Sequence, residues 1–268
     1  MTRTTAAEIG DDARMQPVAV ITGGSSGIGA AVARALAGRG WRCVLVARGE
    51  DRLRALASEV AGEYEVCDVG DRVAVERTMA ALRERHPAVK LLVNNAGIPG
   101  RTTFLDGDPE RIEAVARINY LGGVWCLRSL LPALEAAAPA DVVNVVSVAG
   151  TVSGAGTSGP YTAAKHAQLA FSRSVAVELA PRGIRVHAVL PGFVETDGFP
   201  QRAVWPGWMH FLIAEPDDVA RAVLRALDRN RSEVTVPRYY RLGTLSQWLF
   251  PSIVARVGRR MGGARRPA

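Results

Sequence analysis

Residues 18–29 of this chain read VAVITGGSSGIG. The apolar run from Val18 to Ile21 predicts a short buried strand, and the alanine-rich stretch from Ala30 to Ala37 predicts a helix. The glycines between them allow a tight turn and a close approach of the backbone to a ligand. The start of the helix offers free N–H groups and a partial positive charge, which favour a phosphate. A strand, a glycine-rich loop and a helix in this order predict a phosphate-binding loop near the start of the fold.

The same alternation of apolar strands and helices continues along the chain. Further strands are predicted at 43–47, 63–67, 90–93, 142–147, 184–190 and 233–236. Helices are predicted between them, including a long helical region over 109–137 that breaks near Pro132. Such alternation predicts an α/β fold with a parallel sheet and right-handed crossovers. The glycine, asparagine and acidic motifs all follow strands, at the sheet edge where such folds bind ligands.

Composition narrows the class of protein. Of the 268 residues 48% are apolar, enough for a sizeable core in one large or two small domains. The three cysteines form no CxxC pair, and the four histidines form no HxxxH or HExxH pattern, so no metal site is expected. No apolar run approaches the ~20 residues that span a bilayer. Residues 1–16 lack the apolar core of a secretory signal and predict a loose leader and a cytoplasmic protein.

The positive charge lies at the C-terminal end. Residues 238–268 hold seven of the 33 basic residues and no acid, which leaves 26 basic against 26 acidic residues before them. Leu242 to Val254 is apolar, so 238–268 predicts a basic amphipathic extension after a domain over 17–237. Packing of this extension on the protein is favoured, because one short segment binds membranes only marginally. Contact with an anionic membrane surface is the alternative. The arginines come without a reading module, which argues against nucleic-acid binding.

Two positions indicate how the adenosine half of a dinucleotide would be bound. The second strand ends in Ala47 and Arg48. An acid there would bind ribose hydroxyls, whereas an arginine suits a 2′-phosphate, so the sequence favours NADP over NAD. Asp68 ends the third strand and could accept from an adenine amino group; its alternative is a helix N-cap, which Asp71 could also provide.

Tyr161 and Lys165 are the candidate catalytic pair. Four residues apart, they share one face of a helix. A phenol has a pKa of about 10, and a neighbouring ammonium would lower that pKa, which suits proton exchange with an alcohol or carbonyl oxygen. Ser147, at the mouth of the fifth strand, could hydrogen-bond the same oxygen. Asn119 is a poor helix former in a helical stretch and predicts either a local kink or an amide that holds something.

Aromatic residues concentrate at 199–214. Phe199, Trp205, Trp208, Met209 and Phe211 stand among prolines and a glycine. This stretch predicts a lid over an apolar pocket, with an ordinary surface flap as the alternative.

Taken together, these motifs resemble those of the short-chain dehydrogenase/reductase family. The resemblance covers 17 to about 237 in order and rests on TGGSSGIG at 22–29, Asp68-Val69, NNAG at 94–97, Asn119, Ser147, YTAAK at 161–165 and PGFVET at 191–196. It implies one doubly wound Rossmann domain with a seven-stranded parallel sheet and helices on both faces. It also implies hydride exchange between NADP(H) and a hydrophobic ketone or secondary alcohol, in a homodimer or homotetramer built through the helices holding Asn119 and Tyr161.

The resemblance assigns roles by position. Tyr161 would be the acid/base, Ser147 would orient the substrate oxygen, Lys165 would hold the nicotinamide ribose, and Asn119 would hold a water of a proton relay. The cofactor contacts would be Thr22, Gly23, Ser25, Ser26, Gly27, Ile28, Gly29, Arg48, Asp68, Val69, Asn95, Ala96, Gly97, Tyr161, Lys165, Pro191, Gly192, Val194 and Thr196.

Two departures and three alternatives accompany this reading. Ser147 and Tyr161 are fourteen residues apart, about one more than the family's usual spacing, and the chain continues about thirty residues beyond its usual last strand. The alternatives are an NAD-linked dehydrogenase, a cofactor-retaining epimerase or dehydratase, and a non-catalytic NADP(H)-binding regulatory protein. The second usually needs a larger substrate lobe, and the intact Ser147, Tyr161 and Lys165 argue against the third.

Overall fold

The computed structural model describes residues 16–100, 102–105, 107–153 and 159–256. Seven parallel strands form one sheet in the order β3-β2-β1-β4-β5-β6-β7. They are β1 (Val18–Thr22), β2 (Arg42–Ala47), β3 (Glu63–Val66), β4 (Leu91–Asn94), β5 (Ala140–Val145), β6 (Ile184–Pro191) and β7 (Glu233–Val236). The predicted seven-stranded parallel sheet is confirmed, with strand ends within two residues of those expected. The leader up to residue 15, the loop 154–158 and the tail from 257 lie outside the described residues.

Helices connect the strands and cover both faces. They are α1 (Gly27–Ala37), α2 (Glu50–Glu59), α3 (Arg72–Arg85), α4 (Pro109–Ala116), α5 (Gly122–Ala136), α6 (Gly159–Leu179), α7 (Pro216–Asp228) and α8 (Tyr240–Leu249). Short polar side chains begin several of them. Asp71 accepts hydrogen bonds from the N–H groups of Val73 and Ala74 at the start of α3, and Glu215 forms a capping box with Asp218 at α7.

The predicted break near Pro132 is wrong. Pro132 lies inside the continuous helix α5. The irregularity comes earlier, where residues Arg117–Leu121 form a π-helical turn between α4 and α5. Such turns interrupt the regular i to i−4 bonding and are frequent at functional sites. This one contains Asn119, whose side chain is buried.

Two apolar layers hold the sheet. On one face α1, α2 and α7 pack through residues such as Leu36, Leu53 and Val223. On the other, α3, α5 and α6 pack through residues such as Met79, Leu130 and Val175. Strand side chains alternate between the two layers, as Ile21 does in the first and Val20 in the second. A parallel sheet buried on both faces has nearly continuous apolar strands, which is the pattern that β1 and β2 show.

A charged cluster is buried at the amino ends of β5 and β6. Asp141 and His187 are almost fully inaccessible to solvent. The Asp141 carboxylate accepts two hydrogen bonds from Arg185, at 2.8 and 2.7 Å, and its Oδ1 lies 2.8 Å from His187 Nε2. Burial raises the pKa of Asp141, but the bonds from His187 and Arg185 outweigh it, so the pKa is lowered overall. The cluster lies at the amino edge of the sheet, opposite the carboxyl edge where parallel sheets bind ligands.

Candidate active site

A cavity of about 870 Å³ opens at the carboxyl edge of the sheet, where the strand order reverses between β1 and β4. Parallel sheets bind their ligands at this point. Of the site residues expected from the sequence, the following line it: Gly23, Ser25, Ser26, Gly27, Ile28, Arg48, Asp68, Val69, Asn95, Ala96, Gly97, Asn119, Ser147, Tyr161, Lys165, Pro191, Gly192, Val194 and Thr196. Thr22 and Gly29 are buried behind the glycine-rich loop. The topology therefore brings motifs spread over 170 residues into one cleft.

The glycine-rich loop is shaped to hold a phosphate. Gly23 and Gly27 have φ of +65° and +52°, which favour glycine. A Cβ added at Gly29 would overlap the carbonyl oxygen of Gly23. Asn95 fastens the loop to β4, since its Nδ2 donates to the carbonyl oxygens of Thr22 and Gly23 at 3.1 and 3.2 Å. The loop leads into the N-terminus of α1, so the residues present fit the pyrophosphate of a dinucleotide.

Arg48 and Asp68 line the cavity where β2 and β3 end. Arg48 is solvent-exposed, and its Nη1 lies 3.9 Å from Asp68 Oδ2. Asp68 Oδ1 accepts from the N–H of Gly70 at 2.8 Å, while Asp71 caps α3. Asp68 is thus not the cap of that helix. Arg52, in the first turn of α2, also lines the cavity and was not expected from the sequence. Its position four residues after Arg48 could have indicated that both arginines lie near the end of β2.

Ser147 and Tyr161 meet inside the cavity. Ser147 follows β5, and its Oγ accepts from the N–H of Ala149 at 3.1 Å and donates to the carbonyl oxygen of Pro191 at 3.4 Å. Its side chain is also hydrogen-bonded to that of Tyr161, which extends from the first turn of α6. Two hydroxyl groups therefore converge where a substrate oxygen could sit.

The pKa of Tyr161 departs from the expectation. Burial raises the pKa of the phenol, and the hydrogen bond with Ser147 lowers it by less, so the net shift is upward. The expected lowering by Lys165 is wrong for this structure, because desolvation of the phenolate outweighs the neighbouring groups. Tyr161 is therefore protonated at neutral pH.

Lys165 is buried beside Tyr161, with Nζ 5.9 Å from the centre of the tyrosine ring. Nζ donates to the carbonyl oxygen of Val145 at 3.1 Å and to Oε1 of Gln168 at 2.9 Å. Burial lowers the pKa of Lys165 to about 7. Gln168 was not singled out from the sequence, although a glutamine three residues after the lysine on a buried helix face was a usable signal.

Asn119 holds the loop that follows β4. Its Oδ1 accepts from the N–H of Ile98 at 3.0 Å, and its Nδ2 donates to the carbonyl oxygen of the same residue at 3.1 Å. A Cβ added at Gly97 would come within 2.7 Å of Asn119 Oδ1, so glycine is required for this contact. Of the two expectations for Asn119, an irregularity in the helix and an amide that holds something, the structure shows both.

Aromatic residues form one wall of the cavity, although fewer than expected. Phe193 lines it and packs on Trp205 with ring centroids 4.9 Å apart, and Phe199 lines it as well. Trp208 and Phe211, in the 3-10 turn Gly207–Leu212, are largely exposed instead. Of the segment 199–214, Phe199 lines the cavity and Trp205 packs on Phe193, so the segment forms less of the wall than expected.

The C-terminal helix α8 packs over the same wall. The Tyr240 hydroxyl donates to the carbonyl oxygen of Leu212 at 3.1 Å, and the Tyr240 ring contacts Phe193. Thr244 Oγ1 lies 2.8 Å from Thr151 Oγ1, four residues after Ser147. Packing of the start of the extension on the protein is therefore observed.

Comparison with known proteins fits this geometry. Residues 17–206 match the family described as short chain dehydrogenase. The chain belongs to this family. It is 36% identical over 185 residues to the 3-oxoacyl-[acyl-carrier-protein] reductase of Bos taurus, covering 68% of this chain and 78% of that one. It is 33% identical to carbonyl reductase family member 4 of Danio rerio, covering 80% and 92%. A solved variant of actinorhodin polyketide ketoreductase with NADPH superposes with a TM-score of 0.73 at 30% identity, covering 82% of this chain and 95% of that one.

The short-chain dehydrogenase is accordingly an oxidoreductase that acts on carbonyl or alcohol groups with a nicotinamide dinucleotide. In the described part of the chain, no group of three or more His, Cys, Asp or Glu side chains is placed to hold a metal ion. Over the same residues, no helix has both the length and the hydropathy needed to cross a bilayer.

Proposed function

We propose that the enzyme is an NADPH-linked reductase that interconverts a hydrophobic ketone and its secondary alcohol. The observation that carries the proposal is the hydrogen-bonded pair of Ser147 and Tyr161 hydroxyls inside the cavity. Phe193 and Phe199 give the same cavity an apolar wall. An apolar cleft with a few convergent polar groups is the usual form of a small-molecule site.

The proton chemistry follows from the environment of Tyr161. Its raised pKa keeps the phenol protonated at neutral pH, which suits donation of a proton to a carbonyl oxygen. Ser147 donates a hydrogen bond to that oxygen and fixes its position. A bound nicotinamide supplies the hydride in reduction and accepts it in oxidation. In this proposal Lys165 would hold the nicotinamide ribose, and Asn119 would hold a water that links Lys165 to solvent.

The cofactor preference rests on charge at the end of β2. Arg48 and Arg52 both line the cavity beyond the end of β2, and a guanidinium binds a phosphate through paired, charge-assisted hydrogen bonds. Asp68 approaches Arg48 only to 3.9 Å, so the arginine remains available to a 2′-phosphate. These features support NADP over NAD.

The oligomeric state is part of the proposal. We infer a homodimer or homotetramer assembled through the helices that carry Asn119 and Tyr161. Membership of the short-chain dehydrogenase family supports this assembly.

Tyr161→Phe tests the mechanism. It removes only the phenolic oxygen, so we expect turnover of a bulky ketone to fall about 10²- to 10⁴-fold while the dissociation constant of NADPH changes little. The measurement is ketone-dependent NADPH oxidation together with cofactor titration. Tyr64→Phe is the matched control. Among the described residues, the Tyr64 hydroxyl bonds to Glu50 and Arg54 of α2, which do not line the cavity.

Three outcomes would overturn the proposal. Retained turnover in Tyr161→Phe would remove the proton donor from the mechanism. A wild-type protein that binds NADPH but reduces no carbonyl in a broad panel would favour the non-catalytic, regulatory reading. Turnover with NADH as efficient as with NADPH would leave an NAD-linked dehydrogenase.

A further inference from the structure

The helix α8 has two unlike faces. Tyr240, Thr244 and Gln247 face the protein, where they contact Leu212, Thr151 and the N–H of Ser153. At about 100° per residue, Leu242, Leu245 and Leu249 lie on the opposite side, and all three are exposed. The apolar stripe of this helix is thus directed away from the protein, the reverse of the usual arrangement in a globular domain.

The exposed stripe extends beyond the helix. Trp248 is 79% exposed beside it, and Phe250 and Ile253 continue the apolar character toward the last described residues. The exposed Phe211 is close, because the Tyr239 hydroxyl donates to its carbonyl oxygen. We call Phe211, Leu242, Leu245, Trp248, Leu249, Phe250 and Ile253 the outer apolar face. A surface of this kind marks a place where another partner binds.

The charges around the outer apolar face identify the partner. Arg238, Arg241 and Arg256 flank it, and the sequence from 238 to 268 has seven arginines and no acidic residue. Two copies of the chain meeting through this face would bring two such segments together, and like charges would repel. An anionic lipid surface offers the opposite charge and an apolar interior, to which arginine and tryptophan at the edge of an amphipathic helix are suited.

We propose that the outer apolar face of α8 lies in the surface of an anionic membrane. The leucines, Trp248 and Phe250 enter the boundary between headgroups and acyl chains, and the arginines lie among the lipid phosphates. The inner contacts through Tyr240, Thr244 and Gln247 hold the helix in place, so binding requires no rearrangement of the domain. The association is peripheral and reversible, because it combines limited apolar area with electrostatic attraction.

Vesicle co-sedimentation with the full-length protein tests the proposal. We expect binding to vesicles of phosphatidylcholine with phosphatidylglycerol, weak binding to phosphatidylcholine alone, and a loss of binding at high salt. Leu245→Ser together with Trp248→Ser should weaken binding to the anionic vesicles at least about tenfold, since each buried apolar side chain contributes about that factor. Arg241→Glu should weaken it about fivefold or more.

The control and the overturning outcomes are separate from the enzyme's activity. Val73→Ser removes an exposed apolar side chain from α3, far along the chain, and should leave binding unchanged. Wild-type protein that stays in the supernatant with anionic vesicles at low salt would overturn the proposal. So would a Leu245→Ser, Trp248→Ser variant that binds like the wild type, or one that only loses oligomer mass in solution, which would identify a second copy as the occupant.

Discussion

The two edges of the sheet bury their ionisable groups differently. At the amino edge, Asp141 has opposite charge beside it, because Arg185 donates two hydrogen bonds to its carboxylate, and His187 donates a third. At the carboxyl edge, Lys165 is equally buried, but its hydrogen-bond partners are the neutral oxygens of Val145 and Gln168. The pKa of Asp141 is lowered, toward the charged form, whereas the pKa of Lys165 is lowered to about 7, away from it.

The contrast separates stability from function. A buried charge with a partner keeps its charge across the physiological range and ties two strands together. A buried charge without one is costly, and its pKa moves toward neutral pH, where small changes alter its protonation. We infer that the amino edge is built to stabilise the fold and the carboxyl edge to exchange protons.

The largest expected effect is at the paired cluster. Asp141→Asn removes the carboxylate from buried His187 and from Arg185, which is itself partly exposed, so it should lower the free energy of unfolding by about 2–3 kcal/mol at neutral pH, measured by urea denaturation. Because the folded pKa of Asp141 is lowered, its contribution is present above the unfolded value of about 3.9 and is lost as the pH falls through the folded value. The deficit should therefore shrink in acid.

A surface pair provides the control for this prediction. Arg39 and Asp228 form an exposed ion pair at 2.8 Å, so Asp228→Asn should cost less than about 1 kcal/mol. Equal losses in the two variants would show that burial of the Asp141 cluster contributes nothing.

The next largest effect on stability is expected at Lys165, whose hydrogen-bond partners are neutral. The folded pKa of Lys165, about 7, lies below the unfolded value of about 10.4, so the unfolded state binds more protons between these pH values and stability rises with pH. From pH 7 to 9 the wild type should gain about 2 kcal/mol relative to Lys165→Met. Stability at pH 7 should not fall in Lys165→Met, although turnover should be lost. A parallel pH dependence of unfolding in both proteins would contradict the lowered pKa.

Substitutions of Gln168 should shift the pKa of Lys165 in either direction. Gln168→Leu removes a hydrogen-bond acceptor and should lower the pKa of Lys165 further, whereas Gln168→Glu adds a carboxylate and should raise it. The limb of the pH profile of kcat/KM that reports Lys165 should move by about one pH unit, downward in the first variant and upward in the second. A residue with a purely structural role would change the rate without shifting this limb.

The smallest effect is expected where the charges are exposed. Arg48→Ala should raise the KM for NADPH about tenfold, the worth of one charge-assisted contact, and change the KM for NADH by less than about twofold. Stability should stay within about 0.5 kcal/mol, in contrast to the buried cluster. Arg52→Ala measures whether the second arginine shares the role, and equal effects on both cofactors would remove the argument for NADP.

Much of the fold was predictable from local patterns. The strands were predicted within two residues because a parallel sheet covered on both faces favours apolar runs, such as 43–47. The N-cap that the sequence allowed at Asp71 is the one that the structure shows at the start of α3. The break predicted near Pro132 was wrong because α5 continues through this residue without its N–H. The irregularity is instead the π-helical turn at Asn119, whose amide bonds to Ile98, a residue distant in sequence.

By itself, the sequence determined the order of the elements, the glycine-rich loop and the set of side chains at the strand ends, because these depend on residue type and spacing along the chain. Only the tertiary structure decided which way the pKa of Tyr161 moves, and that Trp208 and the leucines of α8 are directed outward. Each of these depends on desolvation or on contacts between residues distant in sequence or on different faces of a helix, which no local pattern specifies.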